Sequence, residues 1–176
     1  MTIEQMRERL SELRSHRHER CVVCGLSHPL GLRVEYRVAE DGLVHAQFSC
    51  QKLLEGYAGQ LHGGIIAALL DGAMTNCLFA QGIEAVTGQL TVRFLRPVQT
   101  DRMAEVSARL TLVSHRLYIL QAELTQEQTT VARAQGKFFD RSVVVGARDR
   151  ARQRSPGERE GAAGGAGREI RAVALD

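Results

Sequence analysis

Residues 61–80 run LHGGIIAALLDGAMTNCLFA, a stretch long and apolar enough to mimic a membrane span. Asp71 lies near its middle, where a charged side chain in a lone membrane helix is costly. A helix that is apolar on all sides is also typical of the buried centre of a soluble protein. We therefore predict a long helix enclosed by the rest of the chain, with no membrane contact.

Alternating apolar and polar residues on both sides of this helix predict the layer that covers it. Before the helix, residues 32–38 and 44–48 alternate, and Asp41-Gly42 between them is typical of a hairpin turn. Four alternating runs follow the helix, at residues 90–94, 104–112, 118–124 and 132–138. An antiparallel sheet buries its apolar face against a helix. The predicted class is α+β, with an antiparallel sheet wrapped around a long central apolar helix.

The two ends of the chain differ from this central region. Residues 2–19 predict an extra N-terminal amphipathic helix, because Thr2 and Gln5 have capping-box spacing before a thin apolar stripe. Residues beyond Val143 lose periodicity and are rich in Gly, Ala and Arg, a composition that favours a disordered tail. The predicted organisation is a helix over 1–20, one domain over 21–142 and a tail over 143–176.

Charge and cysteine content narrow the class of protein. The net charge is +3, from 23 basic and 20 acidic residues, so the body has no basic surface that predicts nucleic-acid binding. The first twenty residues are charged throughout and do not resemble a signal peptide. We therefore expect a cytoplasmic protein in which the four cysteines form no disulfide framework.

Asp71 interrupts the apolar helix and is the first candidate catalytic residue. Burial of an ionised carboxylate is costly unless it is hydrogen-bonded, and no basic residue lies within a helical turn of it. One interpretation is a structural Asp bonded to a nearby hydroxyl or backbone group. The other is a carboxylate whose basicity is raised for chemistry.

His62-Gly63-Gly64 opens the same helix. Glycines at a helix start allow a ligand to approach the backbone, and the free N–H groups favour a developing negative charge, as in an oxyanion hole. The alternative is a flexible entry to the helix, with His62 in a packing or hydrogen-bonding role. Asp71 lies about seven residues, or roughly 10 Å, beyond the helix start, so one chain hardly supplies both groups to one substrate. We therefore predict a two-fold homodimer with composite sites.

Two segments resemble the PaaI-type hotdog-fold thioesterases. They are the run from Gly56 through His62-Gly63-Gly64 to Asp71-Gly-Ala and the later Thr87-Gly-Gln-Leu-Thr-Val-Arg-Phe-Leu-Arg-Pro97. The resemblance spans about residues 20–140. It implies a hotdog fold and hydrolysis of an acyl-CoA thioester, without a metal or redox cofactor because coenzyme A is part of the substrate. It also implies a homodimer or a dimer of dimers.

The resemblance further implies roles for individual residues. The N–H of Gly63 or Gly64 polarises the thioester carbonyl, next to His62. Asp71 of the facing subunit activates water or attacks directly, and Thr87 orients the water or the carboxylate. The expected substrate contacts are Gly59, Arg93 and Arg96.

One position departs from the family pattern. Some relatives have Asn or Gln six residues before the histidine, as a partner for the attacking water, whereas this chain has Gly56. The departure favours slow catalysis or an alternative function, acyl-CoA binding without turnover. An enoyl- or hydroxyacyl-thioester dehydratase is a further alternative, although its differently spaced motifs are not found.

Cys21-Val-Val-Cys24-Gly is the remaining motif. His16, His18 and His28 lie nearby, so a zinc site is one interpretation. One Cys-x-x-Cys pair is only half of a structural zinc site, and no second pair follows at a suitable spacing. Similar runs occur in hotdog proteins of this type, so we interpret it as a structural turn and expect no metal.

Overall fold

A computed structural model describes residues 1–142 of the chain, and Met1–Arg141 form one compact unit. The predicted tail, 143–176, lies outside the described residues. Two α-helices and eight strands make up the unit. They are α1 (Ile3–Arg17), β1 (Arg37–Val38), β2 (Val44–Ser49), β3 (Glu55–Tyr57), β4 (Gln60–Leu61), α2 (Gly63–Ala80), β5 (Ala85–Phe94), β6 (Met103–Ser114), β7 (Leu117–Gln126) and β8 (Thr129–Asp140), with a 3-10 turn at Lys52–Leu54.

Six strands form one antiparallel sheet in the order β1-β2-β6-β7-β8-β5, and α2 packs against one face of it. Residues on this face alternate with exposed ones, as in β8, where Ala132, Ala134 and Phe138 are buried. Leu69 and Leu70 of α2 are fully buried at 0% exposure. The predicted α+β hotdog architecture, with a sheet around a central apolar helix, is confirmed.

The N-terminal helix α1 packs on this body as its thin apolar stripe predicts. Thr2 and Gln5 form the predicted capping box at its start, and Met6 and Leu10 are buried. Helix α1 packs against α2. One α2 carbonyl, that of Leu69, also accepts a 2.8 Å hydrogen bond from the buried Tyr36 hydroxyl.

The segment before β1 differs from the prediction of a full strand over residues 32–38. Only Arg37–Val38 pair with β2. The N–H groups of Leu32 and Val34 instead donate to the carbonyls of Val22 and Val23, at 2.8 and 2.9 Å. The segment keeps its alternating burial but takes its partners from the N-terminal turn, so it stays outside the main sheet.

A short hairpin, β3–β4, lies directly before α2 and has no counterpart in the predicted strands. Gly59 occupies its turn with a φ of +74°, a conformation that glycine adopts at no steric cost. The Gly59 N–H donates to Glu55 Oε2 at 2.9 Å, and its carbonyl accepts from Thr100 N–H at 3.0 Å. The hairpin therefore anchors the chain that leads into His62.

Helix α2 is also the one helix in residues 1–142 long and apolar enough to cross a membrane. In the described unit, 61% of the segment Gly63–Ala80 is buried. Its apolar character is therefore explained by packing against the sheet and α1, as expected for a core helix.

Candidate active site

The start of α2 leaves one backbone donor free. His62 is the N-cap, and its Nδ1 atom accepts a 2.9 Å hydrogen bond from the Gly64 N–H. The N–H groups of Ile65 and Ile66 both donate to the His62 carbonyl, at 2.9 and 3.2 Å. Of the first four helical N–H groups, only that of Gly63 has no hydrogen-bond partner among residues 1–142. The helix dipole places partial positive charge at this N–H.

The surroundings of Gly63 leave its N–H open to a ligand. Gly63 is half-buried, and a Cβ added to it would meet the Phe94 ring at 3.5 Å, an ordinary van der Waals distance. One side of the residue is therefore covered by an aromatic ring. The geometry suits a carbonyl oxygen that gains negative charge during a reaction.

Asp71 lies on α2, half-buried, with its carboxylate held by one strong hydrogen bond. The Thr87 hydroxyl donates to Asp71 Oδ1 at 2.7 Å. Burial raises the pKa of Asp71 above its ordinary value, and the Thr87 hydrogen bond offsets part of this rise. The result is a fixed carboxylate that is a stronger base than a solvated aspartate, with Oδ2 left for another partner.

A β-bulge at Gly88 directs Thr87 toward Asp71. Thr87 pairs with Phe138 of β8, and Leu90 pairs with Gly136. The two residues of β5 are three positions apart, whereas their partners on β8 are only two positions apart. The extra residue is Gly88, where an added Cβ would lie 2.3 Å from the Phe139 ring. Side chains alternate along a strand, so without the bulge Thr87 would point away from α2.

Some of the predicted site residues are not brought together within one chain. Gly63 and Asp71 lie eight residues apart on α2, which corresponds to about 12 Å of helical rise. Arg93 pairs with Arg133 on the sheet face opposite α2. Arg96 is exposed just beyond β5, and Gly59 lies in the turn of the β3–β4 hairpin. The substrate-contact roles of Arg93, Arg96 and Gly59 stay predictions.

Gly56 lies beside the imidazole that caps α2. A Cβ at this position would be 3.1 Å from His62 Cδ2, so a side chain there would need a shift of a few tenths of an ångström. An Asn or Gln at this position would place an amide next to the histidine. Because residue 56 is glycine, it places no side chain beside the His62 ring.

A second group of reactive side chains lies apart from Gly63, where the N-terminal segment crosses α2. Of the three nearby histidines, the fold brings His18 to Cys21 and Cys24, with one ligand atom from each within 4.8 Å of the others. Hydrogen bonds from Cys24 and His18 lower the pKa of the Cys21 thiol. His16 instead bonds its own helix through the Glu12 carbonyl.

The region that contains Gly63, Asp71 and Thr87 matches a known protein family. Residues 58–133 match the family described as the thioesterase superfamily. Over this region the chain is similar to the thioesterase superfamily. The match includes α2 and strands β5 to β7, so every predicted catalytic residue lies inside it.

Several solved structures are similar to this chain in fold. A thioesterase superfamily protein aligns over 69% of this chain and 61% of its own, with TM-score 0.66 and 24% identity, so the chain spans less than two thirds of it. The Escherichia coli PaaI protein from the phenylacetic acid degradation operon aligns over 80% and 96%, with TM-score 0.67 and 18% identity. A hypothetical thioesterase from Streptococcus pneumoniae TIGR4, solved with coenzyme A, aligns over 61% and 84%, with TM-score 0.57 and 19% identity. These likenesses establish the hotdog fold.

Two features of this candidate site were missed by sequence reasoning. The bulge at Gly88 had a signal, a lone glycine in a strand pattern. The choice between Gly63 and Gly64 had none, because it depends on which N–H the His62 ring engages.

Proposed function

We propose that this chain hydrolyses an acyl-CoA thioester to a free acid and coenzyme A. The observation that supports it most is the 2.7 Å hydrogen bond by which Thr87 holds the half-buried carboxylate of Asp71. A carboxylate with raised basicity, fixed by a hydroxyl, suits activation of water or direct attack. Coenzyme A in the Streptococcus pneumoniae relative supports a CoA ester as the substrate class.

Asp71 performs the first chemical step in one of two ways. As a general base it takes a proton from water while the water oxygen bonds to the thioester carbon. As a nucleophile it bonds to that carbon itself, and water then cleaves the resulting anhydride. In both cases the C–S bond breaks, and the sulfur leaves as the thiolate of coenzyme A, which is then protonated. Incorporation of ¹⁸O from labelled water into Asp71 during a single turnover would identify attack by the carboxylate, because water then cleaves the anhydride at the aspartyl carbon.

The Gly63 N–H stabilises the negative charge that develops on the carbonyl oxygen. It is the free donor of the first turn of α2, since Gly64 is bonded to the His62 ring. A pre-oriented donor at this point acts on the tetrahedral intermediate more strongly than on the flat thioester.

The two groups come from different chains in this proposal. A reacting carbon must lie within about 3.5 Å of its attacking atom and close to its oxyanion donor. The separation of about 12 Å along α2 places Gly63 and Asp71 too far apart for one carbon. Edge strand β5 and the exposed side chains of Phe94 and Leu95, 55% and 44% exposed, offer a surface for a second copy. We therefore include a two-fold homodimer with two composite sites.

The first experiment removes the carboxylate charge. Thiol release from a panel of aromatic, short-chain and long-chain acyl-CoAs is followed for wild type and Asp71→Asn. The variant is expected to lose activity while its melting temperature is no lower. The sign follows from the raised pKa: ionised Asp71 destabilises the fold at neutral pH, and the neutral amide removes this cost. Full activity of Asp71→Asn against every accepted substrate would contradict the assignment.

The second experiment tests the composite site by complementation. Asp71→Asn and Gly63→Pro chains, each with its own affinity tag, are co-expressed and the mixed dimer is isolated. One of its sites then combines both substitutions and the other has neither, so about half of the wild-type activity per dimer is expected. An inactive mixed dimer would show that Gly63 and Asp71 of the same chain act together.

A second candidate function is acyl-CoA binding without turnover. Gly56 favours it, because the space next to His62 holds no water-positioning amide. Tight binding of a CoA ester by calorimetry, without thiol release over hours, would select this function.

A further inference from the structure

The thiol–imidazole cluster, His18, Cys21 and Cys24, lies where the chain leaving α1 crosses α2. Its ligand atoms lie within 4.8 Å of one another, and Cys24 Sγ is 3.8 Å from His18 Nδ1. We propose that these three side chains bind one zinc-class divalent cation, with a water molecule in the fourth position. The cluster is close enough to Asp71 for Cys21 and His18 to affect its pKa, but the metal site does not rest on the proposed hydrolysis.

The distances suit a tetrahedral ion. Zinc lies about 2.3 Å from thiolate sulfur and about 2.1 Å from imidazole nitrogen, so neighbouring ligand atoms stand about 3.5–3.8 Å apart. The 3.8 Å between Cys24 and His18 is already of this size. The proposal requires a side-chain rotation of Cys21, whose Sγ lies within 4.8 Å of the other two ligand atoms.

The turn that presents the sulfurs is shaped by its backbone. The Val23 N–H points at Cys21 Sγ at 3.4 Å, a contact that stabilises a thiolate ligand. The Gly25 N–H donates to the Cys21 carbonyl at 2.9 Å and closes the turn. A Cβ at residue 25 would lie 2.4 Å from the Glu19 carbonyl oxygen, so the turn requires glycine there.

Neighbouring side chains fix the ligands and leave one buried acceptor unused. The His18 ring packs edge-on against Phe79, with centroids 4.8 Å apart. Asn76, on α2, lies next to Cys24 and donates a hydrogen bond to the Gly72 carbonyl at 2.8 Å. Asn76 is 0% exposed, and its Oδ1 is the one buried side-chain N or O atom without a partner in the described part of the chain. Such an atom calls for a water or ion, and a metal-bound water supplies the missing donor.

The bound ion joins two segments of the chain in this proposal. His18 is the C-cap residue of α1, and Cys24 is buried against α2. One ion therefore joins the end of α1 and the following turn over the central helix, and metal binding contributes to folding.

The test measures metal binding directly on the full chain. Protein purified under reducing conditions is stripped with a chelator and titrated with Co²⁺, and the thiolate-to-cobalt charge-transfer band is recorded. One ion per chain is expected, and Zn²⁺ is expected to displace it. Cys21→Ser, Cys24→Ser and His18→Gln are each expected to abolish the band, whereas the matched controls Cys50→Ala and His16→Gln keep it.

Absence of the band in the reduced wild-type protein would overturn the proposal, and so would a band that survives Cys24→Ser. A second measurement uses only the wild-type protein, so it still tests the proposal if the variants fail to fold. Zn²⁺ is expected to slow alkylation of Cys21 and Cys24 by at least tenfold and to leave Cys50 unaffected. Equal alkylation rates with and without Zn²⁺ would overturn the proposal as well.

Discussion

Replacement of Gly63 by proline removes one hydrogen-bond donor and leaves the helix intact. Gly63 is the first residue of α2, a position where proline is favoured because the N–H has no helical partner. The preceding residue, His62, has φ −61° and ψ 134°, the extended conformation that proline requires before it. Proline also restricts the unfolded chain, so the variant is expected to be as stable as wild type or more stable by about 0.4–1 kcal/mol.

The effect on catalysis follows from the count of donors at the helix start. Three of the first four N–H groups are engaged by His62 atoms, so Gly63→Pro deletes the donor left for the substrate. Loss of one oxyanion donor costs about 2.7–4 kcal/mol of transition-state stabilisation, or about 10²–10³ in kcat. The value of KM is expected to change much less, because the flat thioester uses this donor weakly.

Gly63→Ala is the matched control, because alanine keeps the N–H and places its methyl 3.5 Å from the Phe94 ring. Initial rates of thiol release at saturating acyl-CoA are compared for wild type, Gly63→Ala and Gly63→Pro, with melting curves for all three. The alanine variant is expected to keep most of the activity. Equal kcat for the alanine and proline variants would refute the role of this N–H.

Three further predictions concern the other parts of the site. The activity needs an ionised Asp71, whose pKa is raised, so kcat/KM is expected to fall with decreasing pH at a higher pH than that at which an ordinary aspartate is protonated. Thr87→Val removes the hydrogen bond that lowers this pKa and is expected to move the fall to still higher pH, and an unchanged pH profile would contradict this. Gly88→Ala places a methyl 2.3 Å from the Phe139 ring and is expected to lower the free energy of unfolding in denaturant by about 1–3 kcal/mol. The double variant Gly88→Ala/Phe139→Ala is expected to recover part of this loss, and simple additivity of the two single variants would argue against the contact. Gly56→Asn puts an amide beside His62 and is expected to raise kcat about tenfold in the thiol-release assay, which corresponds to an activation free energy lower by about 1.4 kcal/mol. A lower kcat in a folded variant would mean that the site does not use a water held there.

The sequence predicted the features that depend on periodicity and on the cost of burial. The all-apolar helix, the strands after it and the α1 capping box follow from short-range patterns, and all are present. Asp71 stood out because a carboxylate in such a helix needs a partner, and the structure supplies the Thr87 hydroxyl.

Features that depend on contacts distant in sequence were not predicted. The segment before β1 alternates like a strand, but Val22 and Val23 take its hydrogen bonds. The third member of the thiol–imidazole cluster is selected by the packing of α1 on α2, which brings His18 to the cysteines. A pattern of residue types does not contain this packing.

The bulge at Gly88 also affects how this strand should be aligned with its relatives. Phe94 and Thr87 point to the same side of the sheet although they are seven positions apart, an odd number that alternation alone forbids. A relative without the extra residue would have its hydroxyl six positions before the equivalent of Phe94. An alignment without a gap would then pair Thr87 with a residue on the outer face, and the hydroxyl would be missed. The equivalent residue is identified by its partner on β8, Phe138, because the bulge changes the count along β5 but not this pairing.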